Sequence, residues 1–408
     1  MMRIRAITGF IDPGWPIDTE FITKTAQCLK DCRSALQDAG FDVQTLRIAT
    51  PPPSEMSTPV TPPDRPDLAR RLEAEIFIQG IDYAAIGPAL PDEPDGFRML
   101  PKLLAATDTV FSSGLYADPT VGLSLTAARA CARAIQEIST IGDDGFGNLR
   151  FAALVNVPSG VPFFPAAYHR GGPPSLAIAT ESADLAVSVV KDADSPQSAK
   201  KQLVAAIETH AANLIRVSDA IASDHDFRFL GVDFSFAPYP ETQRSIGTAL
   251  EIIGASAFGH SGSAAAAAFL TDCLDSARFQ RAGFCGLFLP VLEDTVLAAR
   301  ASEGILTISD LLLFSTLCGT GLDTIPLPGD ASVEALTGLL LDLGAIGLRH
   351  TKPLTARLMP IPGKSAGDAV HFDFPYFADS RVLPLPNAPL TGLLNSADTL
   401  DIGPYKFE

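Results

Sequence analysis

Short apolar runs alternate with amphipathic helical stretches along almost the whole chain, and this rhythm limits the fold more than any other feature. The runs fall at residues 4–10, 41–48, 81–86, 109–112, 150–157, 175–180, 227–236, 286–291, 323–326 and 355–361. Helical patterns separate most of them, at residues 19–38, 67–79, 95–107, 120–139, 200–223, 242–253, 264–275, 294–301, 309–318 and 332–347. Two strands joined by a helix are long enough apart to lie parallel, so the alternation implies an α/β protein with a parallel core. Residues 50–66 are dense in proline. Proline lacks the donor that a ladder or helix interior needs, so this stretch is a loop. The βα rhythm resumes on both sides of it, which makes it an insertion within one domain spanning residues 1–408. No internal repeat is visible.

Hydrophobic residues make up 47% of the chain, enough for a large core, and charged residues only 19%. The usual charged share is about 25%. The deficit points to extensive buried surface, and a homo-oligomer is the expectation. The formal charge of −17 argues against nucleic acid or an anionic membrane as partner, since no basic surplus exists to neutralise phosphates. It leaves room for a local basic pocket. Six cysteines are thinly scattered, without the spacing of a disulfide framework or a zinc knuckle. A reducing cytoplasm is therefore the expected setting. The N-terminus enters a strand pattern directly, without a signal-like apolar segment, and no apolar run is long enough to cross a bilayer.

Polar residues capable of chemistry cluster where the apolar runs end. His169 lies in a proline-rich loop after the run at 150–157. Asp233 sits in Val-Asp-Phe-Ser-Phe-Ala-Pro-Tyr-Pro, His260 in Gly-His-Ser-Gly-Ser, Glu293 and Asp294 in Leu-Pro-Val-Leu-Glu-Asp, and Asp323 in Cys-Gly-Thr-Gly-Leu-Asp. In a parallel barrel the strand ends converge on one rim, where such residues meet. Imidazole with carboxylate serves acid/base catalysis, and His169, Asp233, His260 and Glu293 are also a ligand set for a divalent metal. The competing reading is structural for each. Asp233 braces a turn, Asp294 caps the helix that follows it, and Asp323 holds the glycine loop at 319–321. Cys318, beside backbone amides of that loop, is a candidate thiol, although most lone cysteines are packing residues.

Substrate-binding candidates are Asp12 and Ser113 at early strand ends, Arg170 beside His169, and Lys352 in a Thr-Lys-Pro turn. Ser261 and Ser263 precede an alanine-rich helix whose N-terminus suits an anion. Arg244 follows the run at 227–236 and is a further cation near this set. No nucleotide or organic cofactor signature is present.

The segments at 161–169, 232–240, 259–265, 289–294 and 318–325 together resemble an uncharacterised family, domain of unknown function 711. The similarity runs along nearly the whole chain. It implies a ten-stranded α/β barrel of the pyruvate formate-lyase-like type, and it brings no reaction with it. After His169 this chain has Arg-Gly-Gly-Pro-Pro, where members of the family tend to carry an acidic residue in a glycine-rich loop. The tail Asp-Ile-Gly-Pro-Tyr-Lys-Phe-Glu at 401–408 has no Arg-Val-x-Gly element, so the fold likeness does not carry glycyl-radical chemistry. The expected function is a non-radical hydrolase or lyase/isomerase acting on a small polar, anionic metabolite. The alternative is a metabolite-binding or regulatory protein, and a structural oligomer component is a third.

Overall fold

The computed structural model describes residues 2–142 and 144–406. The last two residues of the tail named above, Phe407 and Glu408, lie outside them. The strands are β1 (Arg3–Phe10), β2 (Asp42–Ala49), β3 (Tyr83–Ala89), β4 (Val110–Asp118), β5 (Gly122–Ser124), β6 (Phe151–Val155), β7 (Ser175–Glu181), β8 (Arg228–Asp233), β9 (Gly321–Pro328), β10 (Leu354–Ile361), β11 (Ala369–Val370), β12 (Ser380–Arg381) and β13 (Thr399–Leu400). The helices are α1 (Thr19–Asp38), α2 (Arg65–Ile78), α3 (Pro94–Ala105), α4 (Leu125–Ile138), α5 (Ala183–Asp192), α6 (Pro196–Asp224), α7 (Ile246–Ile253), α8 (Ser263–Ser276), α9 (Thr295–Ser302), α10 (Ile308–Ser315) and α11 (Val333–His350). Side-chain caps start many of them. Asp18 accepts from Phe21 N at the head of α1, and Thr307 with Asp310 forms a capping box on α10. Helix α5 carries no such cap, which is one reason its start is weakly marked in the sequence.

One mixed sheet has the order β8-β7-β1-β2-β3-β4-β6-β10-β9, with β5 and β13 beside β4. Strands β1, β2, β3, β4 and β6 run parallel to one another. β7 and β8 are parallel to each other but antiparallel to β1. β9 and β10 are likewise parallel to each other but antiparallel to β6. The sheet therefore consists of a central parallel block of five strands flanked on each side by a parallel pair that runs the opposite way. This corrects the single-rim expectation, because C-terminal strand ends of the central block lie level with N-terminal ends of the flanking pairs.

The two edge strands, β8 and β9, are both touched by the segment at 281–291. Isolated parallel bridges join Val232 to Arg281, Phe236 to Leu287 and Pro290 to Asp323. The expected strand at 286–291 is thus not a regular ladder. Pro290 lies inside it and Gly283 (φ +80°) and Cys285 (φ +45°) turn the chain just before it, and no closed regular barrel forms among the described residues.

Apolar side chains on the outer faces of the strands pack against the helices in one continuous cluster from Ile4 to Leu383. Inner faces form two smaller clusters, and the loop at 157–169 supplies members of both. Phe164 and Ala167 pack with Phe10, Ala49 and Phe111, while Val161, Ala166 and Tyr168 pack with Leu115, Leu154 and Phe288. This loop occupies the inside of the curved sheet. Tyr168 Oη holds it folded by donating to Val157 O at 2.8 Å.

A candidate active site in the inner cavity

Three strands each bring one arginine to the inner cavity: Arg5 on β1, Arg47 on β2 and Arg357 on β10. With Asp233, Glu293 and Asp323 they line a cavity of about 110 Å³. About 10–15 Å³ suffices to admit one water, so this space is roomy enough for a small ligand or several waters.

Most of this charge is compensated internally. Arg5 donates to Glu293 Oε2 at 2.6 Å, and Arg357 donates to Glu293 Oε1 at 2.7 Å and to Asp323 Oδ1 at 2.6 Å. The result is a buried chain Arg5–Glu293–Arg357–Asp323. Burial alone would push the Glu293 carboxyl up, but Arg357 and Arg5 together hold it below its ordinary range. Burial raises the Asp323 carboxyl, and Arg357 opposes that rise. Glu181 stands behind this chain, taking hydrogen bonds from Arg5, Gln44 and Arg244.

Arg47 differs. Its Nε donates to Thr45 Oγ1 at 2.9 Å, and no carboxylate pairs with it among the described residues. Its guanidinium carbon lies 5.0 Å from the centre of the Phe164 ring and 5.7 Å from that of Tyr83. Burial, and then the charge of Arg5, lower its pKa to about 10. It is still a cation at neutral pH. Its two terminal nitrogens form the planar fork that a carboxylate or phosphate accepts bidentately.

Asp233 ends β8 and is 1% exposed. Oδ1 accepts from Ser235 Oγ at 2.5 Å and Cys285 N at 2.9 Å, while Oδ2 accepts from Phe284 N at 3.0 Å. A carboxylate has about four lone-pair sites, so one is open. Burial pushes its pKa up to about 6, against the opposing pull of those three hydrogen bonds. A group at that value exchanges a proton near neutral pH, as general acid/base work requires.

Of the residues expected from sequence, Asp233, Glu293 and Asp323 come together here. His169 does not. Asp233 pairs with Ala179, which is level with Ala6 and hence with Thr45 on β2. His169 N donates to Thr50 O, five residues further along. At about 3.3 Å per residue the two levels are roughly 16 Å apart. The reversed strand blocks are the cause. Burial lowers the His169 pKa.

Asp12 and Arg170 lie at the same end as His169 and are engaged locally. Asp12 accepts from Gly14 N and Ser57 N, and Arg170 pairs with Glu55 at 2.9 Å.

His260 is exposed and contacts Ser256 at 3.2 Å, on the loop before α8. Nearby Ser261 is exposed, and Ser263 is buried with its hydroxyl accepting from Gly259 N. Asp294 is fully buried and spends both oxygens on structure. It caps α9 through Val296 N and Leu297 N, and also accepts from Ser245 Oγ and Ile246 N at the head of α7. Cys318 is packed in the outer core, and burial raises its thiol. Lys352 donates to the carbonyls of Thr316 and Cys318, both at 3.0 Å, and so pins the turn before β9. Ser113 is buried on β4 with no hydrogen-bond partner among the described residues, and it does not line the cavity. The four expected metal ligands are not gathered, and no three His, Cys, Asp or Glu side chains among the described residues form a metal-binding group.

Sequence reasoning passed over Arg5, Arg47, Arg357 and Glu181. A signal exists for Arg357, a single charge inside a strand that is buried on both faces, Leu-Thr-Ala-Arg-Leu-Met-Pro-Ile. Such a charge is retained only when it has a partner or a ligand.

The chain resembles curated proteins that themselves carry only the name UPF0210 protein. One from Oleidesulfovibrio alaskensis is 30% identical over 382 residues, covering 88% of this chain and 82% of that relative. One from Clostridium perfringens is 30% identical over 373 residues, covering 86% and 81%. One from Syntrophobacter fumaroxidans is 31% identical over 354 residues, covering 82% and 77%. The family model described as Uncharacterised ACR (DUF711) matches residues 1–378, and the chain belongs to that family.

Proposed function

We propose that the protein is a non-radical enzyme, a hydrolase or a lyase/isomerase, that acts on a small anionic metabolite held in the inner cavity. Arg47 is the anchor for the anionic group, and Asp233 is the acid/base group. The observation that carries this reading is the guanidinium of Arg47, which has no carboxylate partner among the described residues, in a cavity whose other two arginines, Arg5 and Arg357, are both ion-paired. Leaving a partly buried cation open costs stability, so its retention points to a bound anion. On this reading Arg47→Ala abolishes the rise in melting temperature that a panel of small carboxylates and phosphates gives the wild type. An unchanged rise in the variant removes Arg47 from the site.

The second reading, a binding protein without catalysis, is favoured by one observation: three of the lone pairs of Asp233 are taken by the 284–285 turn and Ser235. Asp233→Asn separates the two. Loss of turnover with ligand affinity kept supports the enzyme, whereas a wild-type protein that binds its ligand and never converts it supports the binder.

We also take the segment at 281–291 as the tenth stave of a pyruvate formate-lyase-like barrel. Its bridges to β8 on one side and β9 on the other support this. Slow amide exchange is expected at Val232, Ala282 and Phe236, whose N–H groups donate across that seam. Exchange at loop-like rates would mean the seam is open.

A further inference from the structure

The chemistry of the cavity walls specifies more than an anion. Three groups of observations bear on it. First, Arg47 is the single cation lining the cavity that lacks a carboxylate partner among the described residues. Arg5 and Arg357 share Glu293, and Arg357 also holds Asp323. A second anionic group on a ligand would find no open cation and would face Glu293 and Asp323.

Second, seven aromatic rings line the same space. Phe163 meets Phe288 edge-on with centroids 5.0 Å apart, and Phe111 meets Phe164 at 5.4 Å. Third, Phe374 and Tyr376 line the cavity from the segment between β11 and β12. That segment is held by Ala378 N donating to Leu292 O at 2.7 Å and by an edge contact of Phe374 on Phe146 at 5.1 Å. The cavity is thus one ionic anchor facing aromatic walls.

We infer that the ligand of this cavity is a monoanion with an aromatic or similarly flat apolar body, its charged head on Arg47 and its body among Phe163, Phe288 and Phe374. This rests on the reading of the cavity as an anion site, and it replaces the polar metabolite expected from sequence. Flat rings meet such walls by offset or edge-to-face contact, and a body that displaces the waters there gains affinity that a polar chain does not.

Calorimetric titration with phenylacetate, acetate and succinate tests it. Phenylacetate is expected to bind about ten-fold or more tightly than acetate, with succinate no tighter than acetate. Phe163→Leu and Phe374→Leu keep apolar volume, and thermal melts report whether each variant is folded. At least one of them is expected to weaken phenylacetate several-fold while leaving acetate unchanged, and Arg47→Met to remove both ligands. Succinate binding more tightly than phenylacetate overturns the inference and leaves the anion site standing. Phenylacetate affinity unchanged in both folded leucine variants overturns it as well. Failure of all three compounds to bind, or binding that survives Arg47→Met, overturns the anion site and this inference together.

Discussion

Two arginines lining the same cavity illustrate opposite uses of a buried charge. Arg357 bridges Glu293 and Asp323 at 2.7 and 2.6 Å. Removing it strands the buried Asp323 and leaves Glu293 to Arg5 alone, so Arg357→Met is expected to cost about 3–5 kcal/mol. Arg47 has no such partner. Arg47→Met removes a desolvated cation, and it should leave the ligand-free protein as stable as wild type or more so. Urea denaturation of both variants measures this, and a large loss in Arg47→Met would mean that the charge is paired in the free protein. Asp233 is the third diagnostic residue. Its carboxyl titrates near 3.8 when unfolded and at about 6 when folded. Between those values the folded state holds more protons than the unfolded one, so this group's contribution to stability falls as pH rises from about 4 to about 6. The shift corresponds to on the order of 3 kcal/mol. The stability of wild type minus that of Asp233→Asn should drop by about that amount between pH 4 and pH 7, read from urea midpoints. Parallel curves would show that Asp233 is not perturbed.

Elements were legible to different degrees, for physical reasons. Apolar strand runs and helices with side-chain caps carry local signals, so β1, β2, β7 and β10 and helices α1 and α11 fall close to their expected places, whereas the helix expected at 120–139 starts only at Leu125 because Gly122–Ser124 pairs as β5. Helix α5 follows Ser182, which makes no capping bond, and it passed unmarked. The segment at 281–291 reads as a strand by composition but is bent by its clasp on Asp233. Gly283 sits at φ +80°, and a Cβ there would lie 2.2 Å from Asp233 Oδ2. Gly40 has a similar φ of +89° with open space around it. Gly40→Ala should therefore cost about 1 kcal/mol from backbone strain alone, and Gly283→Ala markedly more. Equal losses in chemical denaturation would show that the clasp is not rigid. The sequence marks the loop after β6 only as proline-rich and as the carrier of His169. Its role inside the sheet depends on contacts with strands far away in sequence, which no local pattern encodes.

At the scale of the whole molecule, a charge of −17 surrounds a cavity whose one open group is cationic. The outer field repels an anionic ligand during approach. Association should accelerate as ionic strength rises from about 10 mM to 150 mM, where the screening length shortens from about 30 Å to 8 Å. Stopped-flow binding at several salt concentrations measures this, and a rate that falls with salt would place a steering basic patch at the entrance. No helix among the described residues is long and apolar enough to cross a membrane. We further propose that the chain self-associates, given its low charged fraction and the exposed Phe77 and Ile78 at the end of α2. A monomer at micromolar concentration in sedimentation equilibrium would end that proposal.

Periodicity, caps and turn residues are local, and they determined the α/β class and most of the strand and helix order. They also marked Asp233, Glu293 and Asp323 as polar groups at strand ends. Strand direction is not local. The antiparallel pairings of β1 with β7 and of β6 with β10 set the two flanking pairs against the central block. That choice carried His169 and Asp12 to the opposite end from Asp233, and it brought Arg5, Arg47 and Arg357 to one cavity. Which buried arginine kept an open guanidinium was decided only when the tertiary structure had distributed the carboxylates among them.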